Sequence, residues 1–164
     1  MIGPAKIRRI LPHRHPMLLV DRVTDHADGE RLTAIKAVTN DEPWYADLPE
    51  DLDEPGYDYP AVLVLESWCQ SAGLLAAGCR ARPTDGPGDG LVMLFGGVFD
   101  VRYTSPVRPG DVLQHQVRLV RKFSDTSIFE GECRVGGQPV MTVGRLLIVW
   151  RPLAAGAGLV AGHA

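Results

Sequence analysis

One carboxylate interrupts the longest apolar stretch of this chain. From Tyr59 to Cys79 the residues run YPAVLVLESWCQSAGLLAAGC, and Glu66 is the one acid among them. Gln70 follows four residues later, so in a helix the two side chains share a face. A buried ionisable group is costly unless it is paired, hydrogen-bonded or neutralised. No Lys, Arg or His occurs between Lys36 and Arg80, so the sequence offers Glu66 no local cation. Two readings follow. Glu66 either works as an acid–base carboxylate in an apolar pocket, or it meets a solvent-filled groove or a backbone group. Buried helical glutamates are more often structural than catalytic, so residue type alone favours the second.

The element that must position Glu66 is a helix predicted over 59–79 and ending near Arg82. Pro60 suits a first turn, where its missing N–H is not needed. Apolar residues fall on every face, so protein should wrap the helix on most sides. Its length matches a membrane span. Glu66, Gln70, the small residues Ser67, Ser71, Gly73 and Gly78 and the lack of a flanking topology signal argue against one.

With 164 residues the chain fits one domain, expected over 1–152, with 153–164 as a flexible Ala- and Gly-rich tail. A composition of 45% hydrophobic and 23% charged residues is that of a globular protein. The net charge of −3 gives no reason to expect nucleic acid. Residues 1–11 hold no apolar run of signal-peptide length. Three cysteines, Cys69, Cys79 and Cys133, have no ligand-like spacing. That sparse, odd set suggests a reducing, cytoplasmic setting, with no disulfide framework, metal site or cofactor.

Around the helix the pattern is mostly strand. A short helix or turn is expected over 7–14, a strand over 17–23, a turn at 25–29 and a strand over 31–38. Residues 39–59 form a long loop with Pro43, Pro49 and Pro55 and eight acids, Asp41, Glu42, Asp47, Glu50, Asp51, Asp53, Glu54 and Asp58; such loops are usually functional or mobile. Residues 83–90 read as a flexible connection. Strands are expected over 91–103, 112–123, 127–135 and 140–150, with turns at Pro109-Gly110-Asp111 and Gly136-Gly137. Gly96-Gly97 marks a bulge or a close approach of backbone to a ligand. One buried helix with a bent antiparallel sheet around it is an α+β arrangement.

Three blocks of residues resemble a known family, the beta-hydroxyacyl-acyl carrier protein dehydratases of the FabZ type. Leu11-Pro12-His13-Arg14-His15-Pro16-Met17-Leu18-Leu19-Val20-Asp21-Arg22 resembles the family's Leu-Pro-His-Arg-x-Pro-x-Leu-Leu-x-Asp-Arg. Residues 60–70, from Pro60 to Gln70, resemble Pro-Gly-Val-Leu-x-x-Glu-x-x-x-Gln. Residues 100–111 resemble a segment ending Pro-Val-x-Pro-Gly-Asp. The likeness covers roughly residues 5–150. It implies a hot-dog fold, a dimer with its long helices side by side, and an acyl-thioester tunnel at the interface. It further implies catalysis by Glu66, carbonyl polarisation by the helix start at Ala61 and Val62, and substrate contacts from Gln70, Gly96 and Gly97. His13 is structural in that pattern.

The departure from the pattern is in the loop. The family's Asn-Glu-x-Phe-Phe-x-Gly-His-Phe-Pro carries the catalytic base. Anchored on Asn40 and Pro49, the His position holds Asp47, and no histidine occurs between His26 and His115. Three functions follow. The first is a dehydratase with Asp47 or an unaligned group in place of His. The second is an incomplete subunit giving Glu66 to a His-bearing paralogue in a heterodimer. The third, ranked last, is a hot-dog thioesterase. Arg80, Arg82, Arg102 and Arg108 are candidate contacts for an acidic carrier protein, or ordinary surface charges.

Overall fold

The computed structural model describes residues 1–49, 51–78 and 91–152. A short helix α1 (Pro4–Ile10) precedes β1 (Arg22–Ala27) and β2 (Arg31–Ala37). Two 3-10 turns, Pro43–Tyr45 and Glu54–Tyr57, lead to the long helix α2 (Ala61–Gly78). Strands β3 (Leu91–Tyr103), β4 (Val112–Lys122), β5 (Thr126–Val135) and β6 (Gln138–Pro152) follow. All six strands join one antiparallel sheet in the order β1-β2-β4-β5-β6-β3, with β1 and β3 at its edges. The expected helix end near Arg82, the connection 83–90, Cys79, Arg80, Arg82 and the tail 153–164 lie outside the described residues.

α2 packs against β2, β4, β5 and β6. Twelve of its 18 residues are buried, which is why its apolar residues run round every face. This helix is long and apolar enough to cross a membrane by length and composition, and most of that surface is covered by the chain itself. Trp68 is fully buried and its indole Nε1–H donates to the Gln116 carbonyl at 3.1 Å. That approach is possible because Gly131 lies beneath it at φ 156°. A Cβ there would stand 2.0 Å from the Gln116 carbonyl oxygen and 3.2 Å from the Trp68 ring. Phe129, Leu113, Met141, Leu146 and Ile148 complete the sheet side of the core, with Ile7 and Leu11 from the amino-terminal segment. Burial of each such side chain stabilises by about 1.5–3 kcal/mol.

The strands after the helix keep the expected ranges to within about two residues. Gly96-Gly97 is a bulge, seen as a register shift between Phe95 and Gly97 against β6. Two expectations are corrected. The helix starts at Ala61, and Pro60 stands just ahead of it, its carbonyl accepting from the N–H groups of Leu63 and Val64. The strand expected over 17–23 begins only at Arg22 and runs on to Ala27, through part of the expected turn. Its apolar run, Leu18 to Val20, packs into the core near α2, and the first sheet bond is Asp21 N–H to the Ile35 carbonyl.

Candidate active site

Glu66 and Gln70 share the face of α2 that their spacing predicts, and Gln70 Nε2 donates to Glu66 Oε1 at 2.9 Å. The same amide donates to the Met17 carbonyl at 2.6 Å, and Gln70 Oε1 accepts the Leu19 N–H at 3.0 Å. Gln70 is therefore spent on tying the segment after α1 to the helix and on orienting Glu66. Both amide hydrogens and the carbonyl are engaged and the residue is fully buried.

Glu66 is not wrapped on all sides. Its side chain is 29% exposed and His13, at 25%, stands beside it, with His13 Nε2 at 3.4 Å from Glu66 Oε1. The sequence showed no partner nearby because His13 lies 53 residues upstream. Its signal was present in the Leu11–Arg22 block, but only folding that block against α2 brings it to Glu66. His13 Nδ1 is buried with no hydrogen-bond partner. Three residues along the helix, Cys69 carries a thiol pushed up to about 12 by burial and by the Glu66 charge.

The start of α2 opens on a cleft of about 530 Å³ lined by residues that include Tyr59, Ala61, Val64, Tyr103 and Val107. Ala61 is exposed there, and the next residue, Val62, is exposed to 67%. Arg108, one of the candidate carrier-protein contacts, bonds Asp58 at this rim, Nε to Oδ1 at 2.7 Å, and Arg102 is exposed on β3. Gly96 and Gly97 serve the sheet. A Cβ on Gly96 would sit 3.3 Å from the Val149 side chain, and one on Gly97 3.1 Å from the Phe99 ring. The bulge and this packing occupy both glycines within the sheet.

The long loop is closed at its neck. Glu42, at the loop's start, accepts Lys36 Nζ at 2.6 Å, Trp44 Nε1 at 2.9 Å and the Tyr59 hydroxyl at 3.2 Å, Tyr59 being the residue before Pro60. Lys36 and Glu42 are 7% and 9% exposed, and Lys36 Nζ also lies 5.6 Å from the Tyr59 ring centre. Burial and the Glu42 charge hold the Tyr59 phenol well above its usual range. Asp47 lies beyond this neck, exposed in the turn after Pro43–Tyr45. The contrast separates two loop acids five residues apart, one locked and one free to solvent. Among the described residues no group of three or more His, Cys, Asp or Glu side chains could hold a metal ion.

On the sheet side of α2, Ser67 Oγ lies 2.7 Å from His115 Nε2, and both residues are fully buried. Burial, with the nearby Lys36 charge, pushes the His115 pKa down to about 3, so the ring is neutral.

A long helix cupped by a six-stranded antiparallel sheet defines the hot-dog class. Solved structures of that class superpose on the chain. The dehydratase heterocomplex ApeI:P from Xenorhabdus doucetiae matches with a TM-score of 0.66 at 22% identity, covering 88% of this chain and 90% of that one. A mutant thioesterase from Pseudomonas aeruginosa matches with a TM-score of 0.65 at 14% identity, covering 91% and 94%. At those identities the likeness speaks for the fold alone. The sequence is more specific: the FabA-like domain model matches residues 11–144. A 3-hydroxyacyl-[acyl-carrier-protein] dehydratase FabZ from Shewanella sp. (strain MR-4) is 38% identical over 136 residues, 82% of this chain and 84% of that protein. A FabZ from Colwellia psychrerythraea is 36% identical over 148 residues, 90% and 93% of the two chains. The chain belongs to the FabA-like family and, within it, to the FabZ-type 3-hydroxyacyl-[acyl-carrier-protein] dehydratases.

Proposed function

We propose that this protein is a dehydratase, a hydro-lyase that removes water from beta-hydroxyacyl thioesters carried by acyl carrier protein in fatty acid or polyketide biosynthesis. The observation that carries this reading is Glu66, held by Gln70 at an accessible helix edge in a chain of FabZ-type sequence. The reaction takes a proton from C2 and breaks the C3–O bond, forming the C2–C3 double bond and water. Glu66 is the acid that protonates the departing hydroxyl. The first N–H groups of α2, at Ala61 and Val62, polarise the thioester carbonyl.

The base is the divergent part. Two anchors for the family's His position are available in the loop. Asn40 and Pro49 put Asp47 there, whereas Glu42-Pro43-Trp44-Tyr45, aligned on the Glu-x-Phe-Phe of the family, puts Leu48 there. Neither is a histidine, and Asp47 is exposed. A carboxylate is intrinsically a weaker base than an imidazole. That favours a second form of the same function, a heterodimer in which a His-bearing paralogue supplies the base and this chain supplies Glu66. A dehydratase heterocomplex of the same fold exists in ApeI:P.

The edge strand β3 supports a dimer, homomeric or heteromeric. It is 13 residues long and leaves Leu94, Phe95, Phe99 and Tyr103 exposed, a surface that natural proteins rarely leave uncovered. Buried free Cys69 and Cys133 fit a reducing cytoplasm. The test is loss of a beta-hydroxyacyl carrier-protein substrate, followed by mass spectrometry. The protein by itself is expected to turn over slowly or not at all, and addition of a His-bearing paralogue to restore turnover. Full turnover alone would remove the heteromeric form, and no turnover in either assembly would remove the dehydratase reading.

A further inference from the structure

His13 has a charged neighbour and no assigned work. Its Nδ1 is sealed from solvent with no partner. An orphaned buried N–H is rarer and costlier than an orphaned acceptor, so the neutral ring carries its one proton on Nε2, a tautomer assigned from these surroundings. Nε2 is the nitrogen that faces Glu66, 3.4 Å from Oε1. That is ion-pair distance without hydrogen-bond alignment, and such contacts in ligand-free sites tighten when substrate arrives. The Gln70 amide, at 2.9 Å, points at the same oxygen.

We propose that His13 is a positioning residue for Glu66, its Nε2–H and the Gln70 amide gripping Oε1 so that Oε2 meets the substrate hydroxyl. The inference rests on the dehydratase reading above. In the step it serves, a proton passes from Glu66 Oε2 to the C3 oxygen, the C3–O bond breaks, and water leaves. The carboxylate that forms is then stabilised on Oε1 by two N–H donors. The other titratable or charged groups facing the pair are accounted for. Arg14, on the same segment, turns its guanidinium to the carbonyls of Leu11 and His13. Cys69 on α2 is a neutral thiol, and Tyr103 from β3, which lies near Cys69, is a neutral phenol raised by burial. His15 is exposed.

The experiment uses the full chain in whichever assembly turns over substrate, with His13→Gln. The expected result is a fall in kcat of at least about tenfold, a share of the 10²–10⁴ that general acid–base catalysis typically contributes, with KM and melting temperature nearly unchanged. The pH–rate profile of kcat should change shape, which a merely structural role would not cause. Ring ¹⁵N signals of His13 provide the second measurement, in wild type and Glu66→Gln. The expected ring has its proton on Nε2 and a resonance there that moves in Glu66→Gln. Unchanged kcat and pH profile in folded His13→Gln would overturn the proposal, as would a ring protonated on Nδ1. If no assembly dehydrates the substrate, the dehydratase reading has failed, and the ¹⁵N signals still decide whether the two residues are coupled.

Discussion

Two histidines meet α2 on adjacent faces. His13 reaches it from the amino-terminal segment and stands beside Glu66 at an accessible edge. His115 reaches it from β4 and bonds Ser67 in the sealed core. Each leaves Nδ1 buried and without a partner. The residues they touch are consecutive on the helix, about 100° apart around its axis. One step in sequence thus separates a carboxylate at an accessible helix edge from a hydroxyl that clamps helix to sheet. Residue type is the same on both sides; the neighbour and the access to solvent set the work that each ring can do.

The largest expected effect breaks the accessible side. Glu66→Gln should cut turnover by about 10²–10⁴, because Gln can still accept from the Gln70 amide but has no proton to give. Substrate loss by mass spectrometry measures it, alongside a melting curve that should stay near that of wild type. Unchanged turnover would remove Glu66 from the mechanism. A large fall in melting temperature would instead mark it as structural.

Next comes the neck of the loop. Glu42→Ala leaves Lys36 as a buried cation without its carboxylate, and also strips Trp44 and Tyr59 of an acceptor. Breaking such a pair typically costs about 3–5 kcal/mol, readable as a lower urea midpoint at neutral pH. A loss below about 1 kcal/mol would show that water reaches Lys36 once the carboxylate is gone.

The sealed side answers to pH. Folded His115 has its pKa depressed to about 3 from an ordinary 6.5. Between those values the unfolded chain binds a proton that the folded chain refuses, so stability is complete above pH 6.5 and falls as pH drops toward 3. One such group contributes a slope of up to about 1.4 kcal/mol per pH unit. His115→Gln, which can still bond Ser67, should flatten the acid limb of a melting-temperature profile. An unaltered limb would assign the slope to other groups.

These positions differ in how far they could be read from the residues alone. The Glu66–Gln70 bond was legible because a four-residue spacing fixes a shared helix face. The strands of β3 to β6 were legible from turn residues and alternation, and the Gly96-Gly97 bulge from its paired glycines. The His13–Glu66 contact spans 53 residues, so it depends on the path of the segment after α1. That path ran against the strand expected over 17–23, because Leu18 to Val20 serve the core around the helix before the sheet begins. Lys36, Glu42 and Tyr59 were hidden for the same reason. A surface lysine and a loop acid have ordinary spacing in sequence, and only the closed neck buries them together.

Asp47 should respond least, and its response sharpens the comparison from outside the site. It is exposed in the turn beyond the neck that Glu42 holds. Asp47→Asn should change stability by no more than about 0.5 kcal/mol, the range for an ordinary surface substitution. Turnover of the competent assembly should stay the same if, as proposed, a partner supplies the base. Asp47→His should raise the activity of the protein alone only if the acid-rich loop still reaches Glu66 across an interface. The deciding comparison is substrate loss by wild type, Asp47→Asn and Asp47→His, each without a paralogue. Turnover by wild type that vanishes in Asp47→Asn would make Asp47 the base and end the case for a partner-supplied histidine. Equal, low turnover in all three would leave the base outside this loop.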